Sequence, residues 1–111
     1  MKDPVSITTG VPPYYVPIAI YKDITASGGF SYPTKMHGDF NVTVSGTFVG
    51  TVILQRSFNG TDWVNLTTAE GVVLSFTTPA SFTQTEVEGG VYYRLYVSAY
   101  TSGTIHVRLS Q

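Results

Sequence analysis

Residues 91–110 read VYYRLYVSAYTSGTIHVRLS, and this stretch decides the fold class. Val91, Tyr93, Leu95, Val97 and Ala99 recur at every second position. In an extended chain that spacing puts them on one face. Ile105, Val107 and Leu109 repeat the pattern beyond Thr101-Ser102-Gly103. A three-residue hairpin loop with glycine in its last, left-handed position is a common connection between antiparallel strands. Such a loop sets Ala99 against Ile105, Val97 against Val107 and Leu95 against Leu109, apolar on apolar throughout. A two-residue loop slips the register by one and sets apolar against polar residues. The stretch therefore predicts a β-hairpin with one buried face.

The same alternation continues towards the N-terminus. Phe40, Val42 and Val44 alternate with Asn41, Thr43 and Ser45. Residues 51–58 (TVILQRSF) and 61–68 (TDWVNLTT) flank Asn59-Gly60. A loop of Phe58, Asn59 and Gly60 places Leu54 opposite Val64, Val52 opposite Leu66 and Arg56 opposite Asp62. A two-residue Asn-Gly turn would set Leu54 against Asn65. Cross-strand pairing favours the first register, with Gly60 left-handed and Trp63 on the other face near Gln55 and Ile53. Val72, Leu74 and Phe76 mark a short strand, residues 82–87 a weaker one, and Glu88-Gly89-Gly90 a turn into the last hairpin. The predicted core is Val52, Leu54, Val64, Leu66, Leu95, Val97, Ile105 and Val107. Strands with turn signals about every 8–12 residues, and no helical spacing, predict an antiparallel β-sandwich. The expectation is an Ig-like or jelly-roll-like sandwich of seven or eight short strands over residues 38–111. Residues 1–37 differ, because Pro4, Pro12, Pro13, Pro17 and Pro33 interrupt any ladder. They read as an extended Pro-rich segment, an arm or edge strands, with one edge strand in residues 14–21 and a loop at 26–29.

The 111 residues suit one domain. With 42% hydrophobic and 12% charged residues, against a usual charged share of about 25%, disorder is excluded. A net charge of −1 lacks the basic stripe of a nucleic-acid binder, and so few charges favour self-association. There is no cysteine, hence no disulfide framework, thiolate nucleophile or Cys-based zinc site. No apolar run reaches signal-peptide or membrane-spanning length, which predicts a soluble protein made in a cytosol, with no membrane partner.

No catalytic constellation is visible. His106 falls mid-strand, opposite Ser98 in the predicted hairpin, with no carboxylate at a paired position. His37 and Asp39 form a weak donor pair. There is no Gly-x-Ser-x-Gly elbow and no glycine loop opening a helix. The reading is a non-enzyme with no catalytic residue, metal or cofactor. Asn-x-Thr triplets at Asn41, Asn59 and Asn65 read as accidents of a Thr-rich chain. The informative surface is the outward side of the last hairpin, where Tyr96 is predicted opposite Arg108. Tyr and Arg anchor interfaces. The candidate partner surface is Tyr92, Arg94, Tyr96, Tyr100 and Arg108, with Tyr14 and Tyr15 in the N-terminal segment. Either the N-terminal segment folds over this face or a second subunit or a glycan meets it.

Two stretches carry a resemblance. One is residues 46–63, GTFVGTVILQRSFNGTDW. The other is EGGVYYRL at 88–95, followed by AYTSGT at 99–104 and RLSQ at 108–111. Together they resemble small β-sandwich virion proteins of tailed bacteriophages over residues 46–111. The resemblance implies a head-associated role as a decoration (cement) protein or head-fibre base, without an active site. It implies a location in the virion after assembly in the host cytoplasm, docking on the major capsid protein, and a homo-oligomer, with a trimer favoured. A carbohydrate-binding module on a fibre or tail is the alternative, because stacked tyrosines suit sugar rings.

Overall fold

The structure is a computed structural model that describes residues 18–111. Seven strands follow in order: β1 (Ala19–Ile24), β2 (Thr34–Ser45), β3 (Phe48–Ser57), β4 (Val64–Asn65), β5 (Ser75–Phe76), β6 (Ala80–Gly103) and β7 (Ile105–Ser110). Every pairing is antiparallel, in one sheet of order β1-β7-β2-β6-β3-β4, with β5 added to β3. The all-β expectation and the strand number hold. Val and Thr fill the strands because their branched side chains suit the pleated surface.

The 24-residue β6 organises the molecule. Its residues 80–86 and 91–93 pair with β2, and residues 92–103 pair with β3. Between them Gly90 takes a φ of +79°, and the register against β2 slips between Met36 and Gly38. The strand bends there, and the sheet folds over on itself into two facing layers. Phe40 of β2 meets Tyr93 with ring centroids 4.6 Å apart, and Phe76 of β5 meets Phe82 at 5.5 Å. Val42, Val44, Ile105, Val107 and Leu109 fill the core from one layer, and Val52, Leu54, Leu95 and Val97 from the other, each at most 1% exposed. Burying each such side chain contributes about 1.5–3 kcal/mol.

The hairpin predicted over residues 91–110 does not form. Leu95 lies opposite Leu54 and Val97 opposite Val52, while Val107 pairs with Val44 and Leu109 with Val42. Gly103 has the expected positive φ, +89°, but it carries the chain from one layer to the other. The β2–β3 connection crosses beside it through Gly46, φ +99°. Thr104 N donates to Thr47 O at 3.0 Å. A Cβ on Gly103 would run into Thr47 O and lie 2.7 Å from Phe48 Cα. Alternation dictates which residues face inward, and both strands obey it. It does not say which neighbouring strand completes the ladder.

The β3–β4 register also differs from the prediction. Arg56 lies opposite Val64 and Gln55 opposite Asn65. The loop is wider because it is built on side chains. Asn59 Oδ1 accepts from the amides of Thr61 (2.9 Å) and Asp62 (2.8 Å), and Ser57 Oγ accepts from Gly60 N (2.9 Å). Gly60 keeps its positive φ, +78°. Val64 is 67% exposed and is not core, whereas Leu66 packs against the core from its border. Residues 82–87 are not a separate strand, and Glu88-Gly89-Gly90 is a bend inside β6 rather than a hairpin turn. β1 is a sheet edge that shares residues 19–21 with the strand expected over 14–21, whose residues 14–17 lie outside the described residues, and β2 runs through residues 37 and 38 without a break. Tyr14 and Tyr15 lie outside the described residues.

Candidate interaction surface

Because Val91, Tyr93, Leu95 and Val97 fill the core, the intervening Tyr92, Arg94 and Tyr96 face outward on the second layer. The Arg94 guanidinium carbon is 4.4 Å from the ring centroids of both Phe30 and Trp63 and 5.2 Å from that of Tyr96. Phe30 reaches it from one side. Residues 28–31 run along that edge of β6, with Gly28 N donating to Val97 O, Val97 N to Gly29 O (both 2.8 Å) and Ser31 N to Leu95 O (2.9 Å). Trp63 comes from the opposite side, across β3. Beneath the stack, Arg94 Nε donates to Gln55 Oε1 at 2.8 Å, and Gln55 Nε2 donates to Asn65 Oδ1 at 2.9 Å. Among the described residues Arg94 has no carboxylate at ion-pair distance. Burial holds its pKa below the ordinary arginine value, with the Tyr96 phenol acting weakly the other way.

The pattern extends sideways. Lys22 Nζ stands 5.8 Å from the Phe30 ring and 5.2 Å from the Tyr32 ring, and Lys35 Nζ stands 5.3 Å from the Tyr92 ring. Each such contact contributes about 0.5–1 kcal/mol at an exposed site. Tyr32, Lys22, Phe30, Arg94 and Trp63 thus form a continuous band in which cations rest on rings. Tyr32 is 62% exposed and Phe30 39%.

Tyr92, Arg94 and Tyr96 share this face, as the sequence indicates. Tyr100 does not. Val97 pairs with Val52 and Ala99 with Thr51, so Ser98 is an extra residue in β6. That bulge reverses the alternation. Ala99 becomes exposed, and Tyr100 turns to the core border, its hydroxyl donating to Gly103 O at 2.7 Å. Arg108 is on the outer side of the other layer, opposite Thr43 and Tyr21, and does not face Tyr96. His106 has the carboxylate partner that the hairpin register denied it. Asp23 lies opposite it on β1, and His106 Nδ1 is bonded to Asp23 Oδ1. Phe30 and Tyr32 carry no sequence signal because they come from an irregular segment, and Lys22 stands among the alternating residues of edge strand β1, where nothing marks it as a surface contact. Trp63 was legible only as a residue of the Gln55 face.

A second polar cluster lies at the β6 bend. The Glu86 carboxylate, 2% exposed, accepts from Arg56 Nε and Nη2 (both 2.8 Å), from the Tyr93 hydroxyl (2.8 Å) and from Glu88 N (3.0 Å). Burial raises the Glu86 pKa, but these donors outweigh it and hold the carboxyl below its ordinary value. Burial, and then the bond to Glu86, push Tyr93 up to about 12. His37 Nδ1 is 3.2 Å from Glu88 O. Among the described residues no three His, Asp or Glu groups come together to hold a metal.

No protein-family model matches this chain, and no curated protein or solved structure is significantly similar to it. The likeness of residues 46–111 to phage virion proteins stands on its motifs alone.

Proposed function

We propose that this chain is a non-enzymatic structural protein of a tailed-phage virion, which decorates or stabilises the capsid through protein–protein contacts. The face around Arg94 is its docking surface. One observation carries the surface assignment: a guanidinium is fixed between Phe30 and Trp63 and tethered by Gln55, with no carboxylate at ion-pair distance among the described residues. Arg, Trp and Tyr dominate interface energetics when they are rigid and already partly desolvated. An arginine held this way keeps its charge for an acceptor on a partner. The virion assignment comes from the motifs in residues 46–111, and the major capsid protein is the expected partner. A trimer suits local three-fold positions of a shell.

Immuno-electron microscopy of particles from the phage that encodes the chain tests the location. Regular labelling of heads is expected, and its absence from particles overturns the proposal. Sedimentation of the purified protein tests the assembly, with a trimer expected. Arg94→Ala should lower retention on particles by about tenfold or more, since one lost anchor contact of about 1.4 kcal/mol has that effect.

A further inference from the structure

The geometry points to a second site beside the Arg94 face: the cleft between the 57–63 loop and β4 binds one ring of a neutral carbohydrate. The cleft measures about 330 Å³. That is near the lower end of the range of about 300–1,000 Å³ for small-molecule sites, so it takes a single ring rather than a chain.

Arg56 lines the cleft with its guanidinium locked. Nε and Nη2 are both committed to Glu86, itself buried, while the Arg56 side chain remains 29% exposed. Nη1 has no partner among the described residues, so its donors are fixed in advance. The Phe58 ring lies 4.9 Å from that guanidinium and is 67% exposed. One ring face rests on the cation and the other is open, an apolar platform. Asp62 and Thr67 line the same cleft and add hydrogen-bonding oxygens, while Asn65, which also lines it, has its Oδ1 engaged by Gln55.

Charge decides the ligand class. The Arg56 charge is neutralised by the buried Glu86, and Asp62 is the other charged residue of the lining, so no uncompensated positive charge faces a ligand and carboxylates and phosphates are disfavoured. The remaining requirement is a neutral body with a C–H face for Phe58 and hydroxyls that both donate and accept. A hexopyranose ring has that chemistry. Arg56 and Val64 belong to the inward-facing register of β3 and β4, whereas Arg94 lies on the outer face. The cleft borders the Arg94 face through Trp63 and Asn65 but is lined by other side chains, and this inference does not depend on the virion reading.

The test is an amide and Arg Nε–H NMR titration of the full chain with glucose, galactose, mannose and N-acetylglucosamine, with acetate and sialic acid as anionic comparators. At least one neutral sugar should shift Arg56 Nε–H and residues 57–67 saturably, with a Kd of about millimolar order. Phe58→Ala should weaken it about tenfold while circular dichroism stays unchanged. Thr67→Ala, as a second variant, should weaken it too. Arg108→Ala, on the other layer, should leave it unaltered. The inference is overturned by a lack of saturable shifts with every neutral sugar, by a stronger response to acetate or sialic acid, or by undiminished binding in both Phe58→Ala and Thr67→Ala.

Discussion

The Tyr93 hydroxyl donates to Glu86 Oε1 at 2.8 Å, although the two residues are seven apart on one strand. A straight strand rises about 3.3 Å per residue and would hold their Cα atoms about 23 Å apart, beyond the reach of both side chains. The bond therefore exists only because β6 bends. Arg56 of β3 closes the cluster with two bonds to the same carboxylate. Three side chains thus hold the fold-over that makes two layers from one sheet.

Arg56→Ala should be strongly destabilising. It leaves the buried Glu86 carboxylate with its cation removed, and breaking one half of a buried pair costs about 3–5 kcal/mol. Because Arg56 is partly exposed, the lower end is expected. Tyr93→Phe deletes one bond to a charged acceptor and should cost about 1.5–3 kcal/mol. Urea unfolding of both variants measures this. Midpoints within error of wild type would show that the bend is held by packing alone.

The same cluster sets a pH window. The folded Glu86 pKa is lowered, so its contribution is complete above the unfolded value of about 4.3 and is lost as pH falls through the lower, folded value. The folded Tyr93 pKa is raised to about 12, so its contribution is complete below about 10 and disappears as pH rises through about 12. Stability should be flat between these limits, apart from surface groups, and fall on both sides. Glu86→Gln should flatten the acid limb and Tyr93→Phe the alkaline limb. Denaturant midpoints across pH, with a phenolate absorbance titration for Tyr93, check both signs.

The two loop glycines should respond unequally. Both have positive φ, which a β-carbon makes costly, by about 1–3 kcal/mol. At Gly60 an added Cβ would touch only the Tyr92 ring, at 3.4 Å. At Gly103 it would run into the Thr47 carbonyl and the Phe48 backbone, where the two layer crossings meet. Gly103→Ala should therefore lower the melting temperature clearly more than Gly60→Ala. Equal effects would mean that the crossings do not pack as tightly as described.

These glycines also mark what the sequence could reveal. Positive φ at Gly60 and Gly103 was legible, and so was the inward set Val52, Leu54, Leu95, Val97, Ile105 and Val107, because alternation and turn chemistry are local. Strand partners were not legible. Apolar alternation in β7 is equally satisfied by β6, which is adjacent in sequence, and by β1 and β2, which actually flank it. The single extra residue at Ser98 then moved Tyr100 off the outward face. Arg94 was readable as an outward residue, but Phe30 and Trp63, which hold it, arrive through tertiary pairing with no periodic signature.

Leu95→Ala should cost about 2–5 kcal/mol, because the side chain is fully buried between the layers. Val64→Ala should stay within about 0.5 kcal/mol, because that side chain is 67% exposed. A large loss at Val64 in an isolated monomer would contradict the β3–β4 register.

Arg94→Lys should not behave as a conservative change. A lysine keeps the charge but loses the planar group that lies against Phe30 and Trp63 and the Nε donor to Gln55. Gln55, only 9% exposed, would then keep an unsatisfied carbonyl. The stability cost should be about 1–2 kcal/mol, the sum of one side-chain hydrogen bond and part of the cation–π contact. Trp63 is the single tryptophan, so its fluorescence reports the site directly. Loss of the guanidinium should change Trp63 emission and raise its quenching by acrylamide, while Arg108→Lys, on the other layer, should leave both unchanged. If Arg94→Lys and Arg108→Lys give the same Trp63 spectrum as wild type, the stack around Arg94 is not a fixed feature in solution. The docking surface would then have to be sought on the layer that carries Tyr21, His106 and Arg108.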